Sequence, residues 1–209
     1  MKIGLLGAGA VAQAFARHAI ASGHEVVFSN SRGPDTLKSL VEEFGEKASA
    51  GTMKEVVELE VVLLAVPWKH VQSVLQSLGE WKNQILIDPT NPIDENGVVN
   101  LSGENTSQLI ASYAPGARLV KAMNANFMEN FEQDPRQGQF RRVIFVSGDY
   151  KGAVEVVADL FESFGLAPIL LGSLESGGRM QQVGNTLAGH DFFIPWPAPR
   201  SFPQFNGEQ

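Results

Sequence analysis

The stretch Lys2-Ile-Gly-Leu-Leu-Gly-Ala-Gly-Ala-Val-Ala12 decides how the rest of the chain is read. An apolar run at residues 3–6 meets Gly7-x-Gly9-x-x-Ala12, and a helix-like segment follows at 11–22. Gly7 allows a tight strand-to-helix turn, Gly9 has no Cβ to block a pyrophosphate, and Ala12 permits close helix–strand packing. A helix that starts there directs N–H groups and partial positive charge at phosphate oxygens. Gly7, Ala8, Gly9, Ala10, Val11 and Ala12 are therefore expected to line a dinucleotide. The plain alternative is an alanine- and glycine-rich helix start with no ligand.

The end of the second apolar run selects the dinucleotide. NAD-binding units place Asp or Glu about 20 residues after the glycines, where it accepts the ribose 2′-hydroxyl. This chain reads Ser29-Asn-Ser-Arg32 there, and its first carboxylate is Asp35, beyond Gly33-Pro34. Ser29, Asn30 and Ser31 offer donors, and the Arg32 guanidinium offers a planar fork suited to a 2′-phosphate. NADPH is expected over NADH. A polar surface turn with an incidental arginine is the other reading.

Apolar runs at 3–6, 25–28, 61–66, 85–87, 118–120, 143–146 and 169–171 read as strands, with a weaker one at 47–50. Between them, 11–22, 35–44, 53–58, 71–78, 107–113 and 152–164 read as helices. Strands apolar on both sides and separated by helices predict an α/β fold of Rossmann type, with a doubly wound, mainly parallel sheet and extra C-terminal strands. Residues 126–139 read as an irregular loop. Residues 190–209 hold four prolines and five aromatics, Phe192, Phe193, Trp196, Phe202 and Phe205. That density of proline forbids helix and central strand. The chain is thus expected to form one domain over 1–189 and an ordered arm over 190–209, lying on the domain or on a second subunit of a homodimer.

Composition narrows the functional classes. The 209 residues are 44% hydrophobic and 19% charged, enough for a full core. With no cysteine, thiolate metal centres, disulfides and a catalytic thiol are excluded. A net charge of −7 argues against nucleic acid as a partner. The longest apolar run is far short of the roughly 20 residues that span a bilayer. Gly7-Ala-Gly interrupts the first apolar run too early for a secretory signal. The expected setting is cytoplasmic, with no metal and no membrane.

Further motifs follow in order: Leu64-Ala-Val-Pro67, Asp88-Pro-Thr-Asn-Pro92, Val120-Lys-Ala-Met-Asn124, Val146-Ser-Gly-Asp149 and Leu171-Gly-Ser-Leu174, with Gly178-Arg179 behind them. Together with the first two motifs, this set resembles the NADPH-dependent coenzyme F420 reductases, their bacterial dinucleotide-binding relatives and the cytosolic domains of the STEAP metalloreductases. The resemblance spans roughly residues 1–182. It implies nicotinamide along Ala65, Val66, Pro67, Asn91 and Pro92, and a flat redox acceptor, F420 or a flavin, near residues 122–126. One position departs from the pattern, because the archaeal F420 enzymes carry a histidine where this chain has Asn124.

The loops that follow strands rim the carboxyl edge of such a sheet, where ligands bind. Ala122 is accordingly assigned to the cofactor, and Trp68, His70, Asn124, Asn126 and Met180 to the substrate. Each has a plainer reading. Trp68 could simply pack, His70 could donate to a phosphate instead or be a solvated helix-start residue, and Asn91 before Pro92 could be turn chemistry. His18 and His24 flank the first helix and read as structural. Hydride transfer to a flavin-like ring needs two rings held face to face, without nucleophile or metal. The expected partner is a small-molecule redox acceptor. The alternatives are reduction of a carbonyl or imine, for which Lys121 is the one proton donor on a suitable strand end, and a non-catalytic NADPH-binding sensor.

Overall fold

The computed structural model describes residues 1–197. The chain starts with β1 (Lys2–Leu6), α1 (Ala10–Ala21) and β2 (Glu25–Ser29). A 3-10 turn at Pro34–Leu37 leads into α2 (Lys38–Phe44), then β3 (Ala48–Ala50), α3 (Met53–Val56), β4 (Val61–Leu64), α4 (Trp68–Ser77) and β5 (Ile85–Asp88). A small hairpin, β6 (Ile93–Asp94) and β7 (Gly97–Val98), precedes α5 (Thr106–Tyr113) and β8 (Arg118–Ala122). Then come α6 (Met128–Phe131), β9 (Arg136–Gln137), β10 (Phe140–Gly148), α7 (Lys151–Ser163) and β11 (Ala167–Leu170). A π-helical turn at Leu174–Gly178 continues into α8 (Arg179–Gln181), and β12 (Phe193–Pro195) closes the described chain.

The main sheet has the order β11-β10-β8-β5-β4-β1-β2-β3, and β9 and β12 pair with β10. From β8 to β3 every pairing is parallel. This is the Rossmann-type α/β sheet expected from the alternating pattern, weak third strand included. Alternate residues of the central strands feed two apolar layers. Ile3, Leu5, Leu63 and Ile87 meet α1 and α7, whereas Leu6, Leu64 and Leu86 meet α3, α4 and α5. A sheet buried on both faces is why these strands read as continuous apolar runs.

Three segments differ from the sequence reading. β10 runs antiparallel to β8, and β11 runs parallel to β10, so these two strands oppose the rest of the sheet. Periodicity reports burial but not direction. The 126–139 segment is only partly irregular, because it forms α6 and the β9–β10 hairpin across Gly138, whose φ is +59°. The first part of the arm joins its own domain, since Phe193, Ile194 and Pro195 pair antiparallel with Arg142, Arg141 and Phe140. There the buried Arg142 guanidinium donates from Nε to Asp191 Oδ1 at 2.7 Å and lies over the Phe193 ring. The readings for Pro199, Phe202, Pro203 and Phe205 fall outside the described residues.

Register gives β10 a second property. Val146 of β10 faces Ala122, the last residue of β8, so residues 140–145 run on beyond the end of β8, where 143–145 pair with β11 and 140–142 with β12. At about 3.4 Å per residue this overhang rises roughly 20 Å. Ala125, Leu187 and Ile194 clad it.

α6 docks on α1 through His18, whose Nε2 lies 2.7 Å from the Phe131 carbonyl oxygen and whose ring stacks on Phe164. Burial holds the His18 imidazole below its ordinary pKa of 6.5, against the opposing pull of the Phe131 carbonyl. The unfolded chain therefore takes up this proton more readily than the native one. Stability from this contact is complete above about pH 6.5 and falls as the pH drops below it. His18→Gln keeps a donor for Phe131 without the titration. Its urea midpoint should decline less between about pH 7 and 5 than that of the parent; parallel declines would contradict this account.

Candidate functional site

The phosphate turn is built by backbone geometry. Gly7 sits at φ +117°, donates its N–H to the Ser29 carbonyl at 3.0 Å and turns the chain out of β1. Gln13 Nε2 donates back to the Ala8 carbonyl at 2.9 Å and braces the turn. Gly9 is the N-cap of α1 with an ordinary φ of −81°; no side chain caps the helix, and its first turn carries no acid. The leading N–H groups are thus left for an anion. A Cβ built on Gly9 meets nothing within 4 Å, so the space before the helix is open. That combination fits a pyrophosphate. Ala12 is fully buried, as close helix–strand packing requires.

Two cavities share Gly9, Ala65, Val66 and Pro67 as a common ridge. One, of about 410 Å³, adds Gly7, Ala8, Asn30, Ser31, His70, Met53, Ser73 and Val74. The other, of about 310 Å³, adds Ala10, Val11, Leu64, Trp68, Pro89, Thr90 and Asn91. A cleft that passes over a helix N-terminus with one chamber on each side matches a dinucleotide, whose two halves flank a pyrophosphate.

Comparison with known proteins agrees with that geometry. Residues 2–92 match the family model described as NADP oxidoreductase, coenzyme F420-dependent. The chain belongs to the F420-dependent NADP oxidoreductase family. A hypothetical protein of Sinorhizobium meliloti shares 33% identity and superposes with a TM-score of 0.86, over 93% of this chain and 96% of that one. A candidate F420-dependent NADP reductase of Arthrobacter sp. FB24 shares 26% identity with a TM-score of 0.72, covering 87% of this chain and 89% of its own. Metalloreductase STEAP3 of Rattus norvegicus is 28% identical over 183 residues, 87% of this chain. The chain spans 36% of the length of that curated relative. No helix among the described residues is long and apolar enough to cross a membrane.

Within this F420-dependent NADP oxidoreductase fold, several sequence-derived assignments change. Ser29 is fully buried and its hydroxyl donates to the Leu5 carbonyl at 2.8 Å, so it ties β2 to β1 and does not face a phosphate. Asn30 Oδ1 accepts from the Arg32 N–H at 2.9 Å, and Asn30 Nδ2 donates to Thr36, which shapes the turn that presents Ser31 and Arg32 to solvent. Asp35, the nearest carboxylate, pairs with Lys38 at 2.9 Å. Pro92 lies buried beneath its loop and accepts from the Val99 N–H, and Ala122 is fully buried core; neither lines a cavity. His70 lines the chamber of Asn30 and Ser31, away from the acceptor end, which leaves open its alternative role as a donor to a phosphate.

Trp68 walls the chamber of Asn91, as its position after Pro67 suggested. Asn91 and Asn124 bind each other: Asn91 Nδ2 donates to the Asn124 carbonyl at 2.8 Å, and Asn124 Nδ2 donates to Asn91 Oδ1 at 3.2 Å and to the Gln181 carbonyl. This clasp joins the loops after β5 and β8 and orients Asn91 at the rim. Asn126 Nδ2 points instead to the Val143 carbonyl on the overhang, a structural contact. Met180 is exposed at the start of α8. Arg179 reaches the Gly103 carbonyl at 3.2 Å, which makes it a surface tie between loops.

Lys121 does not reach the chamber. Its side chain is 1% exposed, and Nζ donates to Asp88 Oδ2 at 2.9 Å and to the Thr90 carbonyl. Burial pulls its ammonium below the ordinary lysine range, and the Asp88 carboxylate pulls it back up. Met53, Ser73 and Val74 were not singled out in the sequence. They come from α3 and α4, and no local pattern marks a residue that only tertiary folding brings to the cleft.

Proposed function

We propose that the protein transfers hydride between NADP(H) and a flat flavin or deazaflavin acceptor of the F420 type, in the cytoplasm. The observation that carries this reading is the lining of the chamber between the phosphate turn and Asn91, which contains no titratable side chain among the described residues. Bound NADPH supplies the hydride. The space at Gly9 and the leading N–H groups of α1 hold the pyrophosphate, Trp68 and Pro67 wall the ring, and the Asn91–Asn124 clasp fixes the rim. Such a site aligns two rings and excludes water, which is most of what this reaction requires. The single proton that completes the reduction of the acceptor comes from solvent. Reduction of a carbonyl or imine needs a placed proton donor, and Lys121, the candidate for that role, is engaged with Asp88 and Thr90.

The test mixes the protein with NADPH and F420, FMN, FAD or riboflavin, alongside a set of ketones and imines. Turnover is expected with a flavin or with F420. Turnover confined to carbonyls or imines overturns the reading, and tight NADPH binding with no turnover favours a sensor.

Cofactor choice rests on Arg32. Arg32→Ala should cost NADPH about 1.5–3 kcal/mol, the worth of a hydrogen bond to a charged group, and leave NADH nearly unchanged. Equal losses in a titration would remove the 2′-phosphate contact from this turn.

We also propose a homodimer. Phe127, Met180 and Phe192 are 61%, 43% and 42% exposed and flank the 187–192 segment. Cyclic pairs are the commonest homo-oligomers. Removing residues 190–209 would strip Asp191 from the buried Arg142, so substitution is the cleaner test. Phe127→Asp with Phe192→Asp should shift the mass seen by light scattering from dimer to monomer. A monomeric parent, or a variant of unchanged mass, refutes the dimer.

A further inference from the structure

The buried charges beneath the Pro89–Asn91 loop are arranged with more detail than an ion pair needs. Asp88 is fully buried, and its Oδ1 accepts from both the N–H and the hydroxyl of Thr90, at 2.8 and 2.7 Å. Its Oδ2 accepts from Lys121 Nζ, which also donates to the carbonyl of Thr90. Thr90 is therefore held at its N–H, its hydroxyl and its carbonyl by two side chains, one on β5 and one on β8.

Fixing that carbonyl fixes the next N–H. In a trans peptide the C=O of one residue and the N–H of the next point in opposite directions. With the Thr90 oxygen drawn to the buried ammonium, the Asn91 N–H faces away from it, and both Thr90 and Asn91 line the chamber. That N–H donates to nothing among the described residues. A cation at the carbonyl end polarises the whole peptide and makes its N–H a stronger donor. The burial of Lys121 matters here, because water would screen the effect.

We infer that Lys121 and Asp88 are positioning residues that present the Asn91 backbone N–H to an oxygen of the nicotinamide half of NADP(H), its carboxamide or ribose. The pair acts through the peptide and does not touch the reacting atoms. This inference rests on the proposed placement of the nicotinamide half in the Trp68 chamber.

The test separates the two halves of the ligand. Lys121→Met alone would leave Asp88 buried and unpaired, so the variant of choice is Asp88→Asn with Lys121→Met, which removes both charges. Affinities for NADPH and for 2′,5′-ADP, which lacks the nicotinamide half, are measured by calorimetry. The double variant should bind NADPH about tenfold more weakly, the worth of one oriented hydrogen bond, and 2′,5′-ADP as well as the parent does. Equal losses for both ligands, or no loss for either, overturn the inference. A second measurement uses the parent alone and does not depend on any variant folding. The Asn91 amide resonance should move on addition of NADPH and stay in place with 2′,5′-ADP. A shift with both, or with neither, overturns it. A parent that binds neither ligand overturns the NADP(H) placement and this inference with it.

Discussion

Gly9→Val should abolish NADPH binding while leaving the fold intact. Gly9 has an ordinary backbone conformation, at φ −81° and ψ −172°, so a side chain there creates no backbone strain. Its Cβ would enter open space and meet no protein atom within 4 Å. That space is where a pyrophosphate must sit to reach the leading N–H groups of α1. Displacing it removes at least two charge-assisted hydrogen bonds, about 3 kcal/mol or more, which is an affinity loss above roughly 100-fold. Calorimetry should find no binding, with an unchanged urea midpoint. Near-normal NADPH affinity would put the site elsewhere.

Gly7→Ala should have the opposite character. The backbone at Gly7 lies at φ +117°, and a Cβ there would come within 2.0 Å of the Ala65 carbonyl oxygen. Neither partner is a flexible side chain, so β1 and β4 would have to part. Strain at a glycine-only conformation and overpacking together amount to about 4 kcal/mol. The urea midpoint should fall sharply, and cofactor affinity should fall with it. A variant as stable as the parent would show that the turn has another accessible conformation. Two glycines two residues apart thus serve different ends: Gly7 lets two strands approach, and Gly9 keeps room for a ligand.

The sequence made the scaffold readable because local rules and the global fold agree along most of it. Val61, Val62, Leu63 and Leu64 are apolar without alternation since both faces of β4 are covered, and Gly7-x-Gly9 announces its turn through conformations other residues avoid. Strand direction was not readable in the same way. Val143 to Val146 has the composition of a parallel core strand, and only its register with β8 reveals that β10 runs the other way. The cleft was legible where backbone makes it, at Gly7 to Val11 and Ala65 to Pro67, while Ala12 packs beneath it. It was misread where side-chain direction decides. Ser29 and Ser31 stand two residues apart, yet Ser29 closes β2 inside the core while Ser31 lies beyond the strand, in a turn that exposes it. Lys121 sits at the strand end where a proton donor was sought, but its side chain turns toward Asp88. His70 is the third residue of α4, about 200° around the helix from Trp68, enough to move it to the other chamber.

The overhang of β10 has a consequence for how such a protein can change. The phosphate turn and its cleft stand at the ends of β1, β2 and β4, inside the parallel sheet, where a shifted strand disturbs both apolar layers. Residues 140–145 run on past the end of β8, where 143–145 pair with β11 and the 125–139 and 183–197 segments add further cover. Replacement or lengthening of those pieces can reshape the rim without moving the phosphate turn. A lineage built on this plan can vary that rim while the phosphate turn stays the same, because the two are built from separate stretches of chain.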